Sequence, residues 1–284
     1  MTRRQVLLTG LGGAAAITAA QRLARKPSAQ ETTLRLNARE RVESANGVSA
    51  VDQLLLWKAA ETAIIICDMW DDHYCLNAVT RLEAMIPEMN RVIAGARDLG
   101  VSIVHAPSST MDFYADTPQR ERMTAAPHVD PPVPIAAWCY LDPESEAALP
   151  IQDGEEPCDD LVGREHKRFY SRQHPDIEIA EEDGISDDGQ EIFNYFEQNG
   201  IVNVVLMGVH TNMCVLGRPF GIRQQVRLGK NVVLARDLTD AMYDPRDEPF
   251  VSHERGTELV IEHVERYWCP TILGDDLTGT TELT

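Results

Sequence analysis

The sequence predicts an α/β protein in which a mostly parallel sheet is covered by helices on both faces. Two observations carry this. Short continuous apolar runs recur along the chain, as in strands buried on both sides. Stretches of helical period separate them, and strand, helix, strand, helix in that order needs crossovers and hence parallel pairing.

In chain order, residues 1–29 are read first as an address. The twin arginines Arg3 and Arg4 precede an apolar, small-residue stretch running to Ala20, the pattern of a bacterial twin-arginine (Tat) export signal. Arg22, Arg25 and Lys26 lie between that stretch and the cut site expected near 27–30, so an uncleaved anchor is the alternative to cleavage. Either way the Tat export machinery is an expected partner. The expected location is the periplasm or the outer side of the inner membrane. Residues 30–50 are polar without a clear period and read as a linker, leaving 51–284 as a single domain.

Ala63 to Asp68 is an apolar run ending in an acid, the first strand expected. Val79 to Leu99 has helical spacing at Leu82, Met85, Ile86, Met89, Val92, Ile93 and Ala96, is interrupted by Pro87 and is closed by Gly100. Val101 to Ala106 is a second strand. Residues from about 107 to 160 are long and proline-rich without period, and read as an insertion over one end of the sheet. A helix containing Phe193 to Gln198 is ended by Gly200, and Val202 to Met207 forms the next strand. A helix follows Cys214, then a strand at Asn231 to Ala235, a helix over 250–268 and a short strand at Thr271 to Leu273.

Composition narrows the function. The chain has 284 residues, with 45 acidic against 26 basic and a net charge of −19, which disfavours binding to nucleic acid. No apolar run reaches the ~18 uncharged residues of a spanning helix. Six cysteines without a CxxC pair argue against a disulfide scaffold, a zinc knuckle or a thiol redox protein. Cys139 and Cys158 lie in the same insertion and could pair in an exported protein. The acidic Glu155, Glu156, Asp159 and Asp160 read as a solvated loop, because they lack calcium-loop spacing.

In parallel sheets ligands gather at the carboxyl ends of strands. Asp68 ends one strand, and the turn Gly208-Val209-His210-Thr211-Asn212-Met213-Cys214-Val215 leaves another. A thiol there would sit at a helix start, whose N–H groups favour thiolate and could hold an oxyanion. Asp68 could take its proton, and Lys167 could stabilise the charges. Spacing alone leaves open whether the three meet.

These segments resemble those of the isochorismatase-like cysteine hydrolases. Residues 64–72 are similar to that family's apolar strand with Asp-Met-Gln-Asn-Asp, and Lys167 to Ser171 to its Lys-x-x-Tyr-Ser. Gly208 to Val215 is similar to its Gly-x-x-Thr-x-x-Cys-Val turn, and Val232 to Asp237 to the strand that follows. The resemblance implies a three-layer α/β/α, Rossmann-like fold and a catalytic Asp68–Lys167–Cys214 triad. It also implies a non-proline cis peptide before His210, with the N–H groups of His210 and Cys214 as oxyanion hole. The implied activity is hydrolysis of a C–N (amide-type) bond of a small-molecule substrate through a thioester. The alternatives are isochorismatase-type vinyl-ether hydrolysis, a metal-dependent nicotinamidase, or a non-catalytic binding protein on the same fold. Family members commonly form homo-oligomers through exposed helix faces.

The chain departs from the pattern at Trp70, in place of glutamine, at His73, and at Ser171-Arg172-Gln173. Trp70, His73, Trp138 and Tyr140 are the candidate pocket residues. The nicotinamidase Asp-x-His pair is absent after Val104-His105; His73, His105, His128 and Asp68 could in principle cluster around zinc, against the commoner structural or surface role of scattered histidines. No metal and no cofactor is therefore expected.

Overall fold

The apolar run at Thr62–Cys67 is buried at every position because it lies inside an eight-stranded sheet. The computed structural model describes residues 32–45, 47–152 and 157–279. The strands are β1 (Thr33–Ser44), β2 (Gly47–Lys58), β3 (Thr62–Cys67), β4 (Ser102–Ala106), β5 (Gly184–Ile185), β6 (Asn203–Val209), β7 (Asn231–Asp240) and β8 (Thr271–Ile272). The helices are α1 (Leu76–Leu99), α2 (Met111–Tyr114), α3 (Pro118–Thr124), α4 (Gly189–Asn199), α5 (Cys214–Gly217), α6 (Ile222–Arg227) and α7 (His253–Tyr267).

The strand order is β2-β1-β8-β7-β6-β3-β4-β5. Strands β3 to β8 pair in parallel, and β1 runs antiparallel to both β2 and β8. The period of two along β3 divides the core. Ile64 and Ile66 face a layer formed by α1, through Leu82, Ile86, Met89, Val92 and Ile93. Ala63, Ile65 and Cys67 face the opposite layer, where Ile192 and Phe196 of α4, Ile222 of α6 and Val264 of α7 pack. The result is the three-layer α/β/α arrangement with a mostly parallel sheet. Each such isoleucine contributes about 1.5–3 kcal/mol by leaving water.

Three readings are corrected. Residues 33–58, most of them assigned to the linker, form the β1–β2 hairpin, with Leu34, Leu36 and Ala38 buried and the residues between them exposed. That alternation is a half-buried strand pattern, short enough to be hidden among charges. The insertion read from about residue 107 as without period carries two short helices, α2 and α3, before it becomes irregular. Pro87 does not interrupt α1, which runs through it for 24 residues. The buried stripe from Leu82 to Ala96 outweighs the roughly 3 kcal/mol that an internal proline costs. The twin-arginine segment lies outside the described residues. No helix among the described residues is long and apolar enough to cross a membrane.

Candidate active site

Strands β3 and β6 are neighbours in register, Cys67 beside Gly208, so the residues that leave their carboxyl ends converge. The approach is close enough that a Cβ on Gly208 would stand 2.1 Å from the Cys67 carbonyl oxygen, and its φ of +107° lies where only glycine is at ease. The chain then passes through a cis peptide between Val209 and His210, as the resemblance implies. The His210 carbonyl accepts the N–H groups of Met213 and Val215. The N–H of Cys214, between them, has no such partner among the described residues, which suits an oxyanion.

Asp68 is fully buried at the end of β3. Its Oδ1 accepts the backbone N–H of Ser108 at 2.7 Å, and its Oδ2 accepts Arg218 Nε at 2.9 Å. The Cys214 thiol stands beside the same carboxylate, close enough for the two charges to act on each other. Burial raises the Asp68 carboxyl above its ordinary range, against the opposing pull of Arg218, Cys214 and Ser108. The thiol departs from expectation. Burial and then the Asp68 charge push Cys214 well above an ordinary cysteine, with Arg218 opposing. Helix α5 has only four residues, so its dipole is too short to reverse that.

The cation on Asp68 is therefore Arg218, and Lys167 is elsewhere. Lys167 stands on the pocket wall, with Nζ 2.9 Å from Glu165 Oε2 and its side chain 55% exposed. The physical reason lies in the turn: Arg218 follows Cys214 by one helical turn and donates its N–H to the Cys214 carbonyl, which aims its side chain at the thiol's partner. That spacing, Cys-x-x-x-Arg, was the available signal.

The pocket above Cys214 has a volume of about 420 Å³. Trp70 and Tyr170 stack with centroids 4.1 Å apart, and His73 meets His210 edge-on at 5.2 Å. Asp71 holds this wall by accepting the Ser171 N–H and hydroxyl, which ties the segment after Lys167 to the end of β3. Burial lowers His73 to about 4 and His210 to about 3, so both rings are neutral near pH 7. Trp138 lines the pocket, and the Arg218 guanidinium lies 5.5 Å from its ring. Tyr140 does not line it and is 77% exposed. The Cys139 N–H on the Gly217 carbonyl and the buried Cys139 side chain turn Trp138 inward and Tyr140 out.

The residues do not fit the divalent ion of the nicotinamidases. Ala106, Pro107 and Ser108 follow His105, whose ring nitrogens face Gln173 and Asp183, while His128 faces Asp130 at the surface. Two further expectations change. Cys139 lies beside Gln224, and Cys158 is next to Cys75 instead. Asp159 and Asp160 are not a solvated loop: Asp159 pairs with Arg81, and Asp160 accepts the N–H groups of Leu76 and Asn77 at the start of α1.

The isochorismatase domain model matches residues 62–249. Among solved structures, a cysteine hydrolase from Pseudomonas syringae pv. phaseolicola 1448A is 14% identical, with a TM-score of 0.46, over 78% of this chain and 92% of that one. An isochorismatase-like hydrolase from Alkaliphilus metalliredigens is 16% identical, with a TM-score of 0.43, over 76% and 94%. The pyrazinamidase of Pyrococcus horikoshii in complex with zinc is 16% identical, with a TM-score of 0.40, over 75% and 99%. None of the curated proteins matches the chain. With the domain match spanning β3 to the turn after β7 and including the Cys214 turn, this chain belongs to the isochorismatase family of hydrolases.

Proposed function

We propose that the protein hydrolyses a C–N amide-type bond of a small molecule through a thioester on Cys214. The observation that carries this reading is the convergence of the Cys214 turn after β6 on Asp68 after β3, with Arg218 Nε held on that carboxylate at 2.9 Å. Because the thiol rests protonated, attack and proton transfer occur together: Sγ bonds to the carbonyl carbon as its proton passes to Asp68. The developing oxyanion is received by the N–H groups of His210 and Cys214. When the tetrahedral centre collapses, the C–N bond breaks and Asp68 returns the proton to the leaving nitrogen. Water then attacks the thioester, gives a proton to Asp68, and the acid leaves as Cys214 recovers its proton.

Arg218 opposes the burial that raises Asp68 and so favours the ionised form that acts as a base. The flat Trp70–Tyr170 pair suits a planar substrate lying against it.

The test is ammonia release from a panel of small amides, ureides and nicotinamide, with wild type and Cys214→Ala side by side. Turnover by the wild type and none by Cys214→Ala is the expected result. Near-normal amide hydrolysis by Cys214→Ala overturns it. Activity of that variant on a vinyl ether alone would point to direct protonation by Asp68, whose raised pKa suits an acid.

A further inference from the structure

Behind the pocket wall, two thiols from distant parts of the chain meet a carboxylate. Cys75 immediately precedes α1 and is completely buried, whereas Cys158 and Asp160 come from the insertion. One ligand atom from each lies within 4.8 Å of the other two. We propose that Cys75, Cys158 and Asp160 form a binding site for a thiophilic divalent cation of the zinc class, separate from the catalytic residues.

The spacing suits such an ion. Bonds of about 2.3 Å to sulfur and about 2.0 Å to oxygen at a tetrahedral angle separate the two donors by about 3.5 Å. Cys75 Sγ lies 3.7 Å from Asp160 Oδ1. The carboxylate is already oriented, because its oxygens accept the N–H groups of Leu76 and Asn77 at 2.7 and 2.8 Å. Each oxygen keeps a further lone pair for a metal. Asp159 Oδ1, 3.4 Å from Cys75 Sγ, adds negative charge beside the site while Arg81 holds it in place. Three protein donors leave a fourth position for water.

Burial raises both thiols above an ordinary cysteine, so they rest protonated. One cation entering displaces two thiol protons to solvent, and no electrons move. The consequence reaches the pocket. Tyr74 and Pro157, the residues just before the two cysteines, both line it. A bound cation clips the segment that carries His166, Lys167 and Tyr170 onto the start of α1.

The test uses the full chain, reduced and metal-free, titrated with Co²⁺ and then Zn²⁺. A thiolate-to-cobalt charge-transfer band saturating at one equivalent, with two protons released, is expected, and Zn²⁺ should displace the cobalt. Cys158→Ser, at a half-buried position that tolerates the change, should lose the band. Its binding should weaken by more than the roughly 10–100-fold that follows loss of an outer hydrogen-bond partner. Cys214→Ala should keep the band, which separates this site from the hydrolytic reading. No band, or an equal band in Cys158→Ser, overturns the proposal. So does recovery of a Cys75–Cys158 disulfide from the native protein by alkylation and mass spectrometry.

Discussion

Arg218 Nε lies 2.9 Å from Asp68 Oδ2, on a carboxylate whose other oxygen accepts the Ser108 N–H at 2.7 Å. A completely buried acid is thereby fixed in orientation and kept ionisable beside a thiol that burial holds protonated. Arg218 cannot donate a proton at these pH values, so its part is electrostatic.

The two cations of the pocket should separate by rate. Arg218→Ala should lower kcat/KM by roughly 10²–10⁴, the scale of removing a fixed charge from a reacting centre. Lys167→Ala should cost under about tenfold, since Nζ pairs with Glu165 at the rim. Steady-state kinetics on an active amide decide the matter. The reverse order would return the charge-stabilising role to Lys167.

Asp68→Asn should move two readouts in opposite directions. Turnover should fall by roughly 10²–10⁴ with the loss of the base. Alkylation of Cys214 at pH 8 should become faster, because the charge that raises the thiol is gone and Arg218 is left facing it. Iodoacetamide rates resolved to Cys214 by peptide mapping test this. Slower alkylation with an intact fold would show that burial alone holds the thiol protonated.

The acid limb of kcat/KM should belong to Asp68. Burial raises its carboxyl, so the limb should lie above the ordinary carboxylate value of about 4 and activity should grow as pH rises through it. His73 and His210, lowered to about 4 and about 3, are neutral well before pH 6.5 and should add no limb there. A pH profile of wild type and His73→Gln checks both statements. A limb at pH 6–7 that disappears in His73→Gln would contradict them.

Glu146 should make the fold acid-sensitive. Its buried carboxylate receives Arg223 Nε at 2.6 Å, His263 Nε2 at 2.7 Å and Trp268 Nε1 at 2.8 Å, which hold it down at about 2 despite burial. A depressed carboxyl stabilises the fold above its unfolded pKa near 4.3, and that contribution is lost as pH falls towards 2. The difference is worth about 3 kcal/mol. Glu146→Gln should lose a similar amount at pH 7 and show a flatter acid limb in denaturant melts.

The twin arginines carry a prediction about location. Replacing Arg3 and Arg4 together by lysine should hold the protein in the cytoplasm, because the export receptor reads the guanidinium pair. Fractionation of the native bacterium tests it. Wild-type protein found wholly cytosolic with residues 1–29 attached would remove the export reading without touching the hydrolase.

Local pattern was enough for the central strands and for naming two of the reacting groups. Continuous apolar runs at 63–67 and 202–207 pointed to strands buried on both faces, and parallel strands bring their carboxyl ends to one edge, so Asp68 and Cys214 were legible as candidates for one site, while their meeting rests on the pairing of β3 with β6. The hairpin before them was also written in the sequence, as alternation at Leu34, Leu36 and Ala38, but over too few residues to stand out among charged neighbours. What only the tertiary structure decided is the balance of charge at the thiol. The cation on Asp68 is selected by which side chain the Cys214 turn aims inward, and the thiol's protonation is set by how much water the surrounding layers exclude. The meeting of Cys75 with Cys158 is of the same kind, because it depends on where the insertion crosses α1. Periodicity records which face of an element is apolar, whereas a pKa and a ligand cluster are sums over groups that folding alone brings within a few ångströms.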